Sequence, residues 1–320
     1  MRILFAGTPA LAVPSLTLLA QHSGGNFELA GILTKPDSLR GGRQRQLVPS
    51  DIGAAAAFLL PQCRQLKPEK LDSAARLAVA ELKPDLLVSF AYGHIFGPRF
   101  LSLFPCGGIN VHPSLLPKYR GPSPLTSVIL HRELETGISI QRLALAMDSG
   151  TLLAQKRFPL TGCETTASLS DSTAALAADL LLAVVQSIAD GTMLEEKPQN
   201  HEEASYCRLF SKEDGLIDWS KTALDLDAQI RAFTPWPLSF TTHCGRYLYI
   251  LESKPMPDTS GDTSYIPGTV IGTDKQGGLL IQTGSGLLGV QRLQYQTKKA
   301  LPWRDFLNGA PDFPGAVLGG

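Results

Sequence analysis

RILFAGTPA, residues 2–10, is the stretch on which the fold turns. Ile3 to Ala6 is a short apolar run, and Gly7-Thr8-Pro9 ends it with a tight turn and a helix start. A strand handing over to a helix in this way opens a βα unit. The competing reading is a signal peptide, since one early arginine precedes many apolar residues. Gly7, Pro9 and Pro14 interrupt that run and favour the strand.

Outward from this start the same rhythm continues to about residue 189. Strands are expected at residues 2–6, 27–33, 85–89, 108–111, 138–143 and 152–158, and helices at 10–21, 69–82 and 165–188. In the last helix Leu169, Ala174, Leu176, Ala177, Leu180, Leu181, Val184 and Val185 fall mostly on one face. The pattern predicts an α/β fold with a Rossmann-like, mostly parallel sheet and helices on both faces. Residues 190–208 carry Gly191 and Pro198 without an apolar period and read as a linker. Beyond it, a helix at 224–233 is followed by short β-rich runs at 238–242, 247–252, 268–271, 278–282 and 286–293, which suggest a smaller β-barrel domain. The expected domains are therefore 1–189, a linker at 190–208, and 209–320.

The chain has 320 residues, enough for two domains, and its 43% hydrophobic and 18% charged composition is that of a globular protein. Lys plus Arg and Asp plus Glu are 29 each, so any nucleic-acid partner must be held by local patches, without a global field. Cys63, Cys106, Cys163, Cys207 and Cys244 are odd in number and lack CxxC spacing, which argues against a disulfide framework and against zinc and fits a reducing cytoplasm. No run reaches the roughly 18 uninterrupted apolar residues of a membrane span. A soluble, monomeric, cytoplasmic protein without membrane or metal partners is expected.

The chemistry concentrates in residues 108–121, GINVHPSLLPKYRG. Asn110 and His112 are two apart at the end of a predicted strand, so their side chains share a face where open α/β sheets bind ligands. An amide and an imidazole there can stabilise an oxyanion and move a proton, as attack on a carbonyl requires. The pair alone also fits a strand-end turn. Asp148, in Ala146-Met147-Asp148-Ser149-Gly150, reads by itself as a structural turn, but its place between the fifth and sixth strands could bring it to His112.

Several motifs together resemble the methionyl-tRNA formyltransferase family within the folate-dependent formyltransferases. They are FAGTP at 5–9, TKPD at 34–37, FAYGHI at 90–95, INVHPSLLPKYRGPSP at 109–124, ETGISI at 135–140, MDSG at 147–150 and RAFTPWP at 231–237. The resemblance implies that Asn110, His112 and Asp148 are the catalytic trio and that 10-formyltetrahydrofolate is the formyl donor. It further implies that the acceptor is the α-amino group of methionine on initiator methionyl-tRNA. No nucleophilic side chain or metal is then needed, because the amine attacks by itself. Ser114, Leu115, Leu116 and Pro117 correspond to the family's folate contact. A rigid proline and two leucines can wall an apolar pocket; the leucines could simply be core, but Pro113 and Pro117 bracket them into a loop and favour the pocket. Phe90 and Tyr92 are a further candidate wall, with core packing the alternative.

For RNA, Lys35, Arg40, Arg43 and Arg45 stand against Asp37 in the loop 34–50, a basic loop the resemblance places at the acceptor stem of the tRNA. After Leu209 the charges nearly cancel. There the resemblance implies an OB-like barrel meeting the tRNA, with Lys298, Lys299 and Arg304 as the local cluster. Trp219, Trp236 and Trp303 are expected in the core or at a domain interface, and His22, His94, His131, His201 and His243 receive no role. Three alternatives remain: a formyltransferase acting on a small amine, such as glycinamide ribonucleotide or an amino sugar nucleotide; a dinucleotide-binding protein, which Gly7-Thr8-Pro9 argues against because GxGxxG is missing; and a noncatalytic RNA-binding module on the same scaffold.

Overall fold

The computed structural model describes residues 1–40, 46–257 and 265–319 and divides into two compact units. The first comprises Met1–Pro124, Glu135–Pro159 and Ser170–Arg208; the second comprises Leu125–Leu134, Leu160–Leu169 and Leu209–Gly320.

In the first unit the strands are β1 (Arg2–Gly7), β2 (Glu28–Leu33), β3 (Ser38–Arg40), β4 (Gln46–Val48), β5 (Gln65–Leu66), β6 (Leu86–Phe90), β7 (Gly108–His112), β8 (Glu135–Arg142) and β9 (Leu152–Pro159). Seven of them form one sheet in the order β5-β2-β1-β6-β7-β8-β9. It is parallel from β5 to β7, and antiparallel where β8 joins β7 and β9 joins β8. β3 and β4 pair only with each other, at the base of the loop read as basic. Helices α1 (Val13–Gln21), α2 (Asp51–Leu59), α3 (Ser73–Ala80), α4 (Pro98–Leu101), α5 (Pro124–Leu130) and α6 (Thr166–Ala189) complete the amino-terminal part of the chain.

The alternation within β1 shows why helices lie on both faces. Ile3 and Phe5 join Leu16 of α1, Ile52 and Ala56 of α2, and Leu181 and Val185 of α6 in one core. Leu4 and Ala6 point the other way, to Val79 of α3 and Phe100 of α4. Local signals set the helix starts: Ser50 Oγ accepts from Gly53 N at 2.9 Å and Asp72 Oδ1 from Ala75 N at 3.0 Å. α6 is long and apolar enough to cross a membrane, but Ala177, Leu181 and Val185 are wholly buried against the sheet, so it is a core helix.

Residues 190–208, expected as a linker, lie on the first unit. Lys197 exchanges two backbone hydrogen bonds with Leu152 of β9, 2.8 and 2.9 Å long, and Gln199 is buried. With little apolar content, this segment is held by polar contacts, which an apolar-period reading does not register.

The second unit is an antiparallel sheet of β10 (Ser239–His243), β11 (Arg246–Met256), β12 (Val270–Asp274), β13 (Gly278–Gln282), β14 (Leu287–Tyr295) and β15 (Leu301–Pro302), in the order β10-β11-β14-β13-β12 with β15 on β14. α7 (Ala223–Ala232) and α8 (Trp303–Asn308) contribute Leu226, Ile230 and Phe306 to its core, beside Leu248, Ile250, Ile281 and Leu293. The unit also takes in residues 125–134 and 160–169: Arg231 Nη1 donates to the Glu164 carbonyl at 3.1 Å, and Thr166 Oγ1 to the Ala232 carbonyl at 2.6 Å.

Candidate active site

β7 and β8 run antiparallel with Asn110 opposite Gln141 and His112 opposite Ser139. Their intervening partners Val111, Ile138 and Ile140 are core residues, so the pleat places four polar side chains on one face of an otherwise apolar pair of strands. Asp148 reaches them from the turn between β8 and β9. Its backbone is left-handed, at φ 51°, a conformation aspartate tolerates better than most residues. Gly150 follows because a Cβ there would run into the Arg142 carbonyl oxygen.

The carboxylate of Asp148 is the hub. Oδ1 accepts from Gln141 Nε2 at 2.9 Å and, more weakly, from Asn110 Nδ2 at 3.4 Å; Oδ2 accepts from Gly121 N at 2.9 Å and lies 3.6 Å from His112 Nδ1. His112 is 4% exposed, and its Nε2 is 2.8 Å from the Tyr119 carbonyl oxygen. A carbonyl can only accept, so Nε2 carries a hydrogen, and Nδ1, towards Asp148, is the nitrogen left to take up or release a proton. Asn110, His112 and Asp148, singled out separately in the sequence, are thus brought together. An amide donor, a base with its free nitrogen defined and a carboxylate beside it can stabilise an oxyanion and transfer a proton.

The loop after β7 is fixed from β8 and β9. Ser139 Oγ donates to the Ser114 carbonyl at 2.7 Å while accepting from Leu116 N at 3.0 Å and Gln155 Nε2 at 2.8 Å. Gln155 Nε2 also reaches the Leu116 carbonyl at 2.8 Å. Ser114 Oγ turns back to the Lys118 carbonyl at 2.7 Å, and the Leu116–Pro117 bond is cis. Ser114 and Leu116 are buried, whereas Leu115 and Pro117 are half-exposed. Two residues anchor the loop and two present it.

Phe90 and Tyr92, offered as a wall, sit deeper than that. Phe90 is fully buried in the core on one side of the sheet; Tyr92 is 2% exposed in the core on the other, stacked on Phe96. The Tyr92 hydroxyl has no hydrogen-bond partner among the described residues, and burial pushes its pKa up to about 12. Beside it, burial first and the Lys35 charge second hold the His94 imidazole below its usual value.

Four further residues contribute to the site. Gln141 and Ser139 were legible as polar residues alternating with isoleucine on a buried strand. Arg120 and Gln199 had no local signal: Arg120, 2% exposed, donates Nε and Nη2 to Gln199 Oε1 at 3.2 and 2.7 Å. His201, given no role, lies with Nδ1 2.9 Å from Arg120 Nη2. Trp236 departs from expectation in the other direction, since it is 54% exposed while Trp219 packs inside and bonds Thr241 Oγ1. Arg43 and Arg45 lie outside the described residues; Arg40 ends β3, and Lys298, Lys299 and Arg304 are exposed in the second unit.

Two family models match the chain, "Formyl transferase" over residues 1–185 and "Formyl transferase, C-terminal domain" over 210–311. The methionyl-tRNA formyltransferase of Treponema denticola is 46% identical over 321 residues, covering 98% of each chain. The chain belongs to the methionyl-tRNA formyltransferase family. That of Roseiflexus castenholzii is 39% identical over 322 residues, covering all of this chain and 99% of the other. Among solved structures, HypX from Aquifex aeolicus in complex with tetrahydrofolic acid superposes with a TM-score of 0.64 at 16% identity, over 98% of this chain and 48% of that one. An N-formyltransferase from Helicobacter canadensis, with folinic acid and dTDP-3-aminofucose, gives 0.64 at 20% identity, over 93% and 99%. At such identity these two share the fold. Among the described residues no three His, Cys, Asp or Glu side chains converge as a metal site would require.

Proposed function

We propose that the chain transfers the formyl group of 10-formyltetrahydrofolate to the α-amino group of methionine on initiator methionyl-tRNA, with Asn110, His112 and Asp148 as its catalytic residues. The observation that carries this reading is their convergence, 3.4 to 3.6 Å apart at the carboxyl end of β7, in a chain of this family. The unprotonated amine attacks the formyl carbon, a C–N bond forms, and the carbonyl π pair moves onto oxygen. Asn110 Nδ2 spends one hydrogen on Asp148 and keeps the other for that oxyanion. The proton shed by the attacking nitrogen goes to His112 Nδ1, and Asp148 stabilises the imidazolium. His112 becomes an oxyanion donor itself only after taking that proton, because its Nε2–H is held by Tyr119. As the tetrahedral intermediate collapses, the bond to N10 of the folate breaks and N10 receives the proton, leaving the formamide and tetrahydrofolate.

For the donor, Leu115 and Pro117 form the wall, Ser114 and Leu116 anchor it, and the unpartnered Tyr92 hydroxyl is a buried polar atom that a ligand's polar edge would satisfy. Phe90 belongs to the core on the opposite face of the sheet and makes no part of this wall. The acceptor is held by the basic loop with Arg40, Arg43 and Arg45 and by Lys298 and Lys299 on an OB-like, tRNA-binding second domain, in a cytoplasmic monomer. The deciding experiment offers the purified chain 10-formyltetrahydrofolate with methionine-charged initiator tRNA, charged elongator tRNA, glycinamide ribonucleotide or a dTDP-amino sugar. Transfer to the initiator species is expected to dominate; preferential transfer to a small amine would remove the acceptor from the proposal.

A further inference from the structure

Arg120 is buried, and among the described residues it has no counter-ion: the partners of its guanidinium are Gln199 Oε1, the Tyr206 hydroxyl at 3.2 Å and His201 Nδ1, and no carboxylate of theirs lies within ion-pair distance. Its contacts run in one direction. Gln199 Oε1 faces only these guanidinium donors, and Gln199 Nε2 faces only acceptors: Gln141 Oε1 at 3.2 Å, the Asp148 carbonyl at 3.0 Å and the Gly150 carbonyl at 2.7 Å. Gln141 in turn presents Nε2 to Asp148 Oδ1 at 2.9 Å. A cation, two amides and a carboxylate form one donor-to-acceptor chain in which each link polarises the next. Both amide orientations are fixed by chemistry, because reversing either would set donor against donor. Gln141, Gln199 and Arg120 are each more than nine-tenths buried, so solvent does little to screen the chain.

We propose that Arg120, Gln199 and Gln141 are positioning residues for formyl transfer: a relay that carries the field of a buried cation to Asp148 and fixes its carboxylate between Asn110 and His112. The proposal rests on Asp148 belonging to the active site. Gln199 lies between the stretches matched by the two family models, at 1–185 and 210–311. The backbone around it is pinned to the loop after β7: Arg120 N donates to the Ser205 carbonyl at 2.8 Å, Cys207 N to the Arg120 carbonyl at 2.8 Å, and Tyr119 N to Ser205 Oγ at 2.9 Å. The ionisable groups facing the relay are Asp148, His112, Arg120, His201 and Tyr206.

Gln199→Glu keeps the shape, neutralises Arg120 and replaces three N–H contacts with carboxylate oxygens. A fall in kcat of about ten- to a hundredfold is expected from losing hydrogen bonds to a charged network, with KM for both substrates unchanged. The acidic limb of the kcat–pH profile should also move to higher pH, because a new negative charge and a neutralised Arg120 both favour protonation of the Asp148–His112 pair. A merely structural residue would not move that limb. Gln141→Met, of similar volume, breaks the last link and should lower kcat in the same range, which decides the matter should Gln199→Glu unfold. Asp148→Asn is the reference: wild-type kcat and pH profile in both relay variants beside an inactive Asp148→Asn would overturn the relay alone, whereas an active Asp148→Asn would overturn the reading of the site and the relay with it.

Discussion

Tyr92 presents its ring to a phenylalanine stack and leaves its hydroxyl unpaired in the same apolar surroundings. Removing that oxygen relieves an unsatisfied polar group, so Tyr92→Phe is expected to keep or raise the melting temperature, by calorimetry. With the folded pKa raised from 10 to about 12 and the unfolded chain titrating near 10, native protein holds the proton longer. Stability from this residue is therefore complete below pH 10 and is lost as pH rises towards 12. Alkaline unfolding of Tyr92→Phe should show one proton's less pH dependence in that window; an identical slope would reject the assignment. Should the hydroxyl contact the folate, the same variant raises KM for the donor. Gly121 is the opposite case, a residue chosen for what it lacks. At φ 115° its N–H meets Asp148, and a Cβ would strike the Cys207 carbonyl. Gly121→Ala is expected to cost both stability and turnover, read by melting and initial rate. Asn110, His112 and Asp148 were legible in the sequence because strand end and motif named them. Gln199 was not, because its neighbours in space are about 50 to 80 positions away in the chain and no spacing rule spans that separation.

Among elements, β8 is the most informative. Its Ser139 and Gln141 are buried polar residues, one securing the Ser114–Pro117 loop with two hydrogen bonds and a third to Gln155, the other holding Asp148. Ser139→Ala strands the Leu116 N–H and removes a side-chain donor to the Ser114 carbonyl. A loss of about 1–3 kcal/mol is expected, by denaturant titration, with KM for the folate rising more than KM for the tRNA. The strands and helices with strong periodicity were predicted within a few residues of where they lie: β1, β2, β6, β7, β9 and α6 among them. α2 was not, because DIGAAAAFL is too uniformly apolar to show a face, although Ser50 is a serviceable N-cap in the sequence. β5 has two residues and forms only by docking beside β2, so pairing creates it and propensity does not.

At the scale of the whole molecule, 29 basic and 29 acidic residues leave no long-range field to draw in a polyanion. Capture of tRNA then depends on local groups, and the salt dependence of its KM should be correspondingly shallow. Reversing Arg43 and Arg45 to glutamate should raise KM for the tRNA and lower the slope of log KM against log salt by about 1 per phosphate contact removed. KM for the folate should stay as it was; unchanged tRNA kinetics would strike the loop from the acceptor site.

The polar segment 190–208 also bears on how this enzyme could be recombined with its relatives. A graft spliced at residue 185 or 189 would preserve Asn110, His112 and Asp148 yet take its residue 199 from the relative, opposite a resident Arg120. Wherever that residue is not glutamine, the hybrid would hold a complete set of catalytic side chains on a mismatched support. The natural crossover point for exchanging carboxyl-terminal halves is after Arg208, where the first unit ends.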